Sequence, residues 1–159
     1  MSGMERAAGR GTAVHNAIEN WSLYGIEDIA PEYRGYFDGF LAWVKDMKPK
    51  FLGNECRLYH KTLRYAGTAD IPSIIGGKAV MVDVKTTSQL QEMLARVQLE
   101  AYVKGLESHG IRFDSKAILH LRRDGTYKYE PYPLRDPDAW RVFGALLTVH
   151  GYTQQFKNR

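Results

Sequence analysis

The run Ala79 to Val84 reads Ala-Val-Met-Val-Asp-Val, near-continuously apolar and interrupted by one carboxylate. Such a stretch is the pattern of a central strand covered on both faces. It constrains the rest of the chain, because a doubly covered strand requires helices above and below it. Its end is charged, with Asp83 and Lys85 flanking Val84. Side chains two apart on a strand share a face, so this carboxylate and ammonium point the same way.

The flanking segments supply the other layers. Gly76-Gly77 is a hairpin signal just before the run. Upstream, Phe51 to His60 and Leu63 to Ile71 read as strands bent apart near Lys61-Thr62, and Pro72 limits further pairing of the second. Gly9, Gly11 and Thr12 form a flexible lead-in. Thr12 is then placed to cap a helix to about Leu23, with Val14, Ala17, Ile18 and Trp21 on its apolar face. Pro31 fits the first turn of a second helix, Glu32 to Lys48, which Pro49 ends. Gln91 to Leu106 is an amphipathic helix. Ala117 to Arg122 and Thr126 to Tyr132 flank Asp124-Gly125, a strong hairpin signal. Pro137 opens a last helix, Asp138 to about Phe156. The expected fold is α/β, a three-layer sandwich with a central mixed sheet flanked by helices, in a single domain over residues 1–159. The Gln91–Leu106 helix would be a crossover between parallel strands.

Composition excludes some functions. No apolar run approaches the roughly 20 residues of a bilayer span, and Met1 to Gly11 lacks an apolar signal core. The expectation is therefore no membrane partner and a cytoplasmic location. The only cysteine, Cys56, excludes an intramolecular disulfide and a cysteine-rich cluster within one chain. A net charge of +4 leans mildly toward polyanionic partners.

Turning at Gly76-Gly77, the chain would bring Asp70 and Asp83 to the same end of the sheet, beside Lys85. Two carboxylates that close repel unless positive charge lies between them. A hard divalent cation with oxygen ligands, Mg²⁺ or Mn²⁺, resolves that. Lys85 could then stabilise developing phosphate charge or help deprotonate an attacking water. The alternative for an isolated Asp-x-Lys is a surface salt bridge. Two helical pairs, His15 with Glu19 and Gln98 with Tyr102, each lie four apart on one face.

With these residues in place, four motifs resemble a known family. Gly11-Thr12-Ala13-Val14-His15-Asn16-Ala17-Ile18-Glu19 is similar to the Gly-Thr-x-x-His-x-x-x-Glu motif of RecB-type nucleases. Gly67-Thr68-Ala69-Asp70 resembles their second motif. Asp83-Val84-Lys85 is similar to the (Asp/Glu)-x-Lys signature of the wider PD-(D/E)XK superfamily, and Gln98-Leu99-Glu100-Ala101-Tyr102 to the Gln-x-x-x-Tyr motif that follows it. Order and spacing agree from Gly11 to Tyr102.

The resemblance implies a restriction-endonuclease-like core and a metal-dependent deoxyribonuclease. His15, Asp70, Asp83 and the Val84 carbonyl would hold the metal. The imidazole would favour Mn²⁺ more than an all-oxygen site does. Lys85 would be catalytic together with Asp70 and Asp83, and Gln98 and Tyr102 would position the DNA strand. Glu19 stands behind the ligands or is a helix-surface charge; Glu55 lines the site or lies on a solvated face of the first strand. With one cysteine, the iron–sulfur cluster of several relatives is not expected. The chain starts a few residues before the first motif and is expected to lack the N-terminal extension of many relatives. Its size is more like a stand-alone or phage-type exonuclease, acting in a bacterial cell or phage-infected host. DNA, single- or double-stranded and engaged at ends, is the expected partner, alongside recombination or replication proteins. A structure-specific or restriction-type endonuclease and a catalytically inactive DNA-binding module stay open as alternatives.

Overall fold

The apolar run is the body of β5 (Lys78–Lys85), the third of five strands in the main sheet. The computed structural model describes residues 3–89 and 91–157. Before β5 come α1 (Gly3–Tyr24), a 3-10 turn (Pro31–Tyr33), α2 (Arg34–Met47), β1 (Lys50–Phe51), β2 (Cys56–Tyr59), β3 (Ala66–Ala69) and β4 (Ser73–Ile75). After it come α3 (Glu92–Glu107), β6 (Ser115–Leu121), β7 (Tyr127–Pro133) and α4 (Pro137–Lys157). The main sheet runs β1-β4-β5-β6-β7, while β2 and β3 form a separate two-stranded sheet. β5 and β6 are parallel and joined through α3; the other pairs are antiparallel, so the sheet is mixed.

Alternation along β5 sets the layers. Val80, Val82 and Val84 pack with Val14 and Ile18 of α1 and Phe37, Phe40 and Trp43 of α2. Met81 packs on the opposite side with Leu99 and Val103 of α3 and Ile118 of β6, and Trp140 and Phe143 of α4 close over that cluster. The fold is thus an α/β sandwich of three layers. Phe37 and Phe40 are fully buried, and burial of such a side chain stabilises by roughly 1.5–3 kcal/mol. Asp83 and Lys85 alternate with the valines, so they lie on the α3 side. Among the described residues no helix is long and apolar enough to cross a membrane.

The structure corrects four expectations. The amino-terminal lead-in is helical, since α1 starts at Gly3, and Gly9, Gly11 and Thr12 lie inside it. Glycine costs about 1 kcal/mol in a helix interior. That cost is offset here by Ala7 and Ala8, strong helix formers, and by Arg10, whose Nε donates to Thr86 Oγ1 at 3.4 Å and whose guanidinium lies 5.4 Å from the Tyr36 ring centroid. The expected strand Phe51–His60 is broken, because Glu55 takes a left-handed backbone, φ 47°. The expected strand Leu63–Ile71 is shortened to Ala66–Ala69, with Arg64 also left-handed at φ 59°. Beyond Pro72, which was expected to limit further pairing, Ser73–Ile75 forms a strand. Proline forfeits one N–H, and its own carbonyl still accepts from Leu52 N–H at 2.8 Å.

Candidate active site

β4 and β5 pair with Ser73 opposite Val80, Ile74 opposite Ala79 and Ile75 opposite Lys78. The pairing extends past Pro72, where Ile71 N–H donates to Val82 O at 3.3 Å. One residue further along the same register, Asp70 stands opposite Asp83. Asp70 is nearly buried and Asp83 is 2% exposed. Val84 N–H donates to Asp70 Oδ2 at 2.7 Å. In an extended strand a residue's N–H and C=O turn to the same edge, so the Val84 carbonyl also faces the Asp70 side of β5.

Helix α1 brings His15 to this point. Its Nε2 lies 3.1 Å from Asp70 Oδ2 and its Nδ1 lies 2.7 Å from Gly11 O, one turn back on the helix. Glu55 arrives from the left-handed bend before β2, and its N–H donates to Asp70 O at 2.8 Å. Glu55 is therefore not on a regular strand, as the sequence suggested, but is tied by its backbone to the residue beside it. Ligand atoms of His15, Glu55 and Asp70 lie within 4.8 Å of one another. Asp83 lies outside that trio, opposite Asp70 in the strand register. Glu19 lines the same open cleft of about 700 Å³ as His15, Glu55, Arg57 and Thr68.

On the α3 side, Lys85 Nζ lies 2.9 Å from Asp83 Oδ2 and donates to Gln98 Oε1 at 2.7 Å. Asp83 Oδ2 is buried and receives no directed hydrogen bond, so its contact with Lys85 is one of charge. Gln98 Nε2 in turn donates to Tyr102 OH at 2.6 Å. Gln98 and Tyr102, one helical turn apart on α3, hold the ammonium at the edge of a second cavity. That cavity, about 630 Å³, is bounded by Lys85, Gln98 and Tyr102 on one side and by Leu94, Phe143 and Leu146 on another.

Charge is unevenly shared. Burial and the charge of Asp70 push the Asp83 carboxyl up to about 8. Burial also acts against ionised Asp70, but the hydrogen bond and charge of His15 win and hold it below the usual carboxylate range. Burial pulls the His15 imidazole down, yet its hydrogen bond to Asp70 and that carboxylate's charge carry it up to about 9. Glu55 is raised by burial and by Asp70. The site therefore holds more protons at neutral pH than its residue types hold in water. Bringing four carboxylates together invites neutralisation by protons or by a cation.

The sequence did not reveal Glu100 and Lys116. Lys116 Nζ donates to Glu100 Oε2 at 2.5 Å, and both side chains are about 2% exposed. Their bond ties α3 to β6 between Gln98 and Tyr102. A signal was present: Lys116 occupies an alternating position in an otherwise apolar strand segment, Ala117-Ile118-Leu119.

No family model and no curated protein matches this chain. Among solved structures, it is similar to SSO0001, at 14% identity over 89% of this chain and 74% of that chain, with a TM-score of 0.43. It is also similar to an alkaline exonuclease, LHK-Exo from Laribacter hongkongensis, at 12% identity over 99% of this chain and 88% of that chain, TM-score 0.41. For the same exonuclease in complex with dAMP, the values are 13% identity, 95% and 91% coverage and a TM-score of 0.40.

Proposed function

We propose that this chain is a divalent-metal-dependent deoxyribonuclease of the RecB type that hydrolyses phosphodiester bonds, acting as an exonuclease at DNA ends in recombination or repair. The observation that carries the reading is the meeting of two contact chains, His15–Asp70 and Asp83–Lys85–Gln98–Tyr102, drawn from α1, the end of β3, β5 and α3 and brought together by the register that sets Asp70 opposite Asp83.

The donor set fits a hard divalent ion. Three ligand atoms lie within 4.8 Å of one another, two of them carboxylate oxygens. Asp83 presents a buried oxygen lacking a directed donor. His15, Asp70, Asp83 and the Val84 carbonyl are the proposed ligands, with Glu55 close enough to join them. Mg²⁺ suits the oxygens, and the imidazole admits Mn²⁺. When bound, the cation would offset the carboxylate charge and polarise a phosphodiester oxygen.

The protein's own groups do the rest. Gln98 and Asp83 hold the Lys85 ammonium at the cavity edge, where it can meet a non-bridging phosphate oxygen and stabilise charge as the phosphorus becomes five-coordinate. Tyr102 fixes the amide of Gln98, so that its carbonyl oxygen faces Lys85. Glu19 and Glu55 border the open cleft on the other side of the carboxylates.

The test is digestion of end-labelled and circular DNA, single- and double-stranded, with Mg²⁺, Mn²⁺ or EDTA. The expected result is metal-dependent loss of nucleotides from ends, abolished in Lys85→Ala while the protein stays folded. Cleavage that survives in Lys85→Ala would remove that residue's role. Cleavage of closed circles would make the enzyme an endonuclease.

A further inference from the structure

A separate cleft of about 520 Å³ opens on the α1–α2 side of the molecule, lined by Arg6, Arg10, Glu32, Tyr33, Tyr36 and Arg123. Three arginines from two distant segments line it, with one acid, Glu32. Arg10 and Arg123 form no ion pair among the described residues, whereas nearby Arg34 is paired with Glu27 and Asp38. Arg10 and Arg123, lining one cleft without an ion pair of their own, are arranged for an anion that comes from outside.

The backbone holds this arrangement in place. Gly35 and Gly39, one turn apart on α2, form a seat for the β6–β7 hairpin. A Cβ at Gly35 would fall 1.7 Å from Arg123 O, and one at Gly39 would fall 2.7 Å from Thr126 O. The hairpin is itself braced, since Asp124 Oδ1 accepts from both Thr126 N–H and Thr126 Oγ1. Arg10 is fixed by Thr86 Oγ1 and by the face of Tyr36. Thr86 directly follows Lys85, and Gly11, next to Arg10, supplies the carbonyl against His15. The cleft therefore adjoins the candidate active site at the same end of β5.

We infer that this arginine–tyrosine cleft binds the sugar–phosphate backbone of a single DNA strand beside the phosphate that lies at Lys85. Guanidinium groups match phosphate oxygens in a fork, and Tyr33, partly exposed, offers a ring on which an unpaired base can stack whatever its sequence. The inference rests on the nuclease reading for its substrate, but binding tests it without cleavage.

The experiment measures fluorescence anisotropy of a labelled 12-nucleotide single strand in EDTA, across a series of salt concentrations. Arg10→Ala/Arg123→Ala is compared with Lys45→Ala/Lys50→Ala. Each double change lowers the net charge from +4 to +2. The arginine variant should lose about tenfold or more in affinity, with a shallower salt dependence by roughly 1.4 for two phosphate contacts on a single strand. The lysine variant should lose less than threefold. Arg123→Glu, a change at an exposed side chain, should weaken binding without altering the melting temperature. A strand carrying 5-iodouracil should photo-cross-link to Tyr33 or Tyr36. Equal losses in both double variants, unchanged binding in the arginine variants, or cross-links confined to other residues would overturn the inference. Arginine-dependent binding by a protein that cleaves no DNA under any metal would keep the cleft and reject the nuclease.

Discussion

His15 Nε2 and Asp70 Oδ2 meet at 3.1 Å although 55 positions of chain separate them. The contact joins the first helix to the end of β3, and the same carboxylate oxygen also takes the Val84 N–H. One oxygen thus ties a helix, the small sheet's exit and the central strand.

Metal binding should release protons. In the metal-free protein His15 titrates near 9 and is charged at neutral pH. A cation ligated by its ring nitrogen must expel that proton. Mn²⁺ affinity is therefore expected to strengthen between pH 6 and pH 9. Calorimetry in buffers of different ionisation enthalpy should register proton release, and His15→Ala should diminish it. Affinity independent of pH would mean that the imidazole is not a ligand.

Stability in EDTA should fall as the solution becomes alkaline. His15 is raised in the fold, so its contribution is fully present below its unfolded value of about 6.5 and is lost as pH rises through 9. Asp83 is also raised, and its contribution declines from about pH 4 upward, through 8. Asp70 is depressed and acts oppositely, losing its stabilisation only in acid. Between pH 6 and pH 9.5, urea unfolding should show a loss on the order of 1–3 kcal/mol. Saturating Mn²⁺ should flatten that slope, since the cation takes the protons' place.

Breaking the Glu100–Lys116 bond should be costly in a particular way. Glu100→Gln leaves a buried ammonium without its counter-charge, and about 3–5 kcal/mol is the expected loss. Glu100→Leu/Lys116→Met removes both charges and should recover most of it. Urea titrations of Glu100→Leu, Lys116→Met and the double variant measure the coupling directly. Equal destabilisation by the single and double changes would refute the account.

Gly35→Ala should loosen the β6–β7 hairpin. The new methyl collides with backbone, the Arg123 carbonyl, and backbone cannot swing away as a side chain can. A destabilisation of about 1–3 kcal/mol is expected, with faster hydrogen exchange at Gly125 and Thr126. Gly144→Ala is the counterpart. A Cβ there meets nothing within 4 Å in α4, so helix propensity alone should stabilise by about 0.5–1 kcal/mol.

What could be read from the sequence was what periodicity encodes. The apolar run, the Gly76-Gly77 and Asp124-Gly125 hairpins and the shared face of Asp83 and Lys85 follow from alternation and turn chemistry, and the three-layer fold follows from them. Glu55 was harder to place, because a left-handed φ at a non-glycine residue leaves no pattern along the chain. The contact of Arg10 with Thr86 spans 76 positions, and nothing local to either residue announces the other. Glu100 has its partner, Lys116, on another element 16 positions away, and no local pattern links the two. The split at Pro72 was missed because a proline at a strand boundary costs one N–H, not the whole pairing.

The turn at Gly76 and Gly77, with φ of 58° and 79°, lies at the far end of β5 from the carboxylates. It nevertheless sets their separation, because the register counted from this turn is what places Asp70 opposite Asp83. One inserted residue would slide β4 along β5 by a single position, and a slip of one turns every side chain to the other face. Asp70 would then leave the site with no residue of the site altered. The turn acts as a spacer, so its length should resist insertion and deletion as strictly as any residue that meets the substrate.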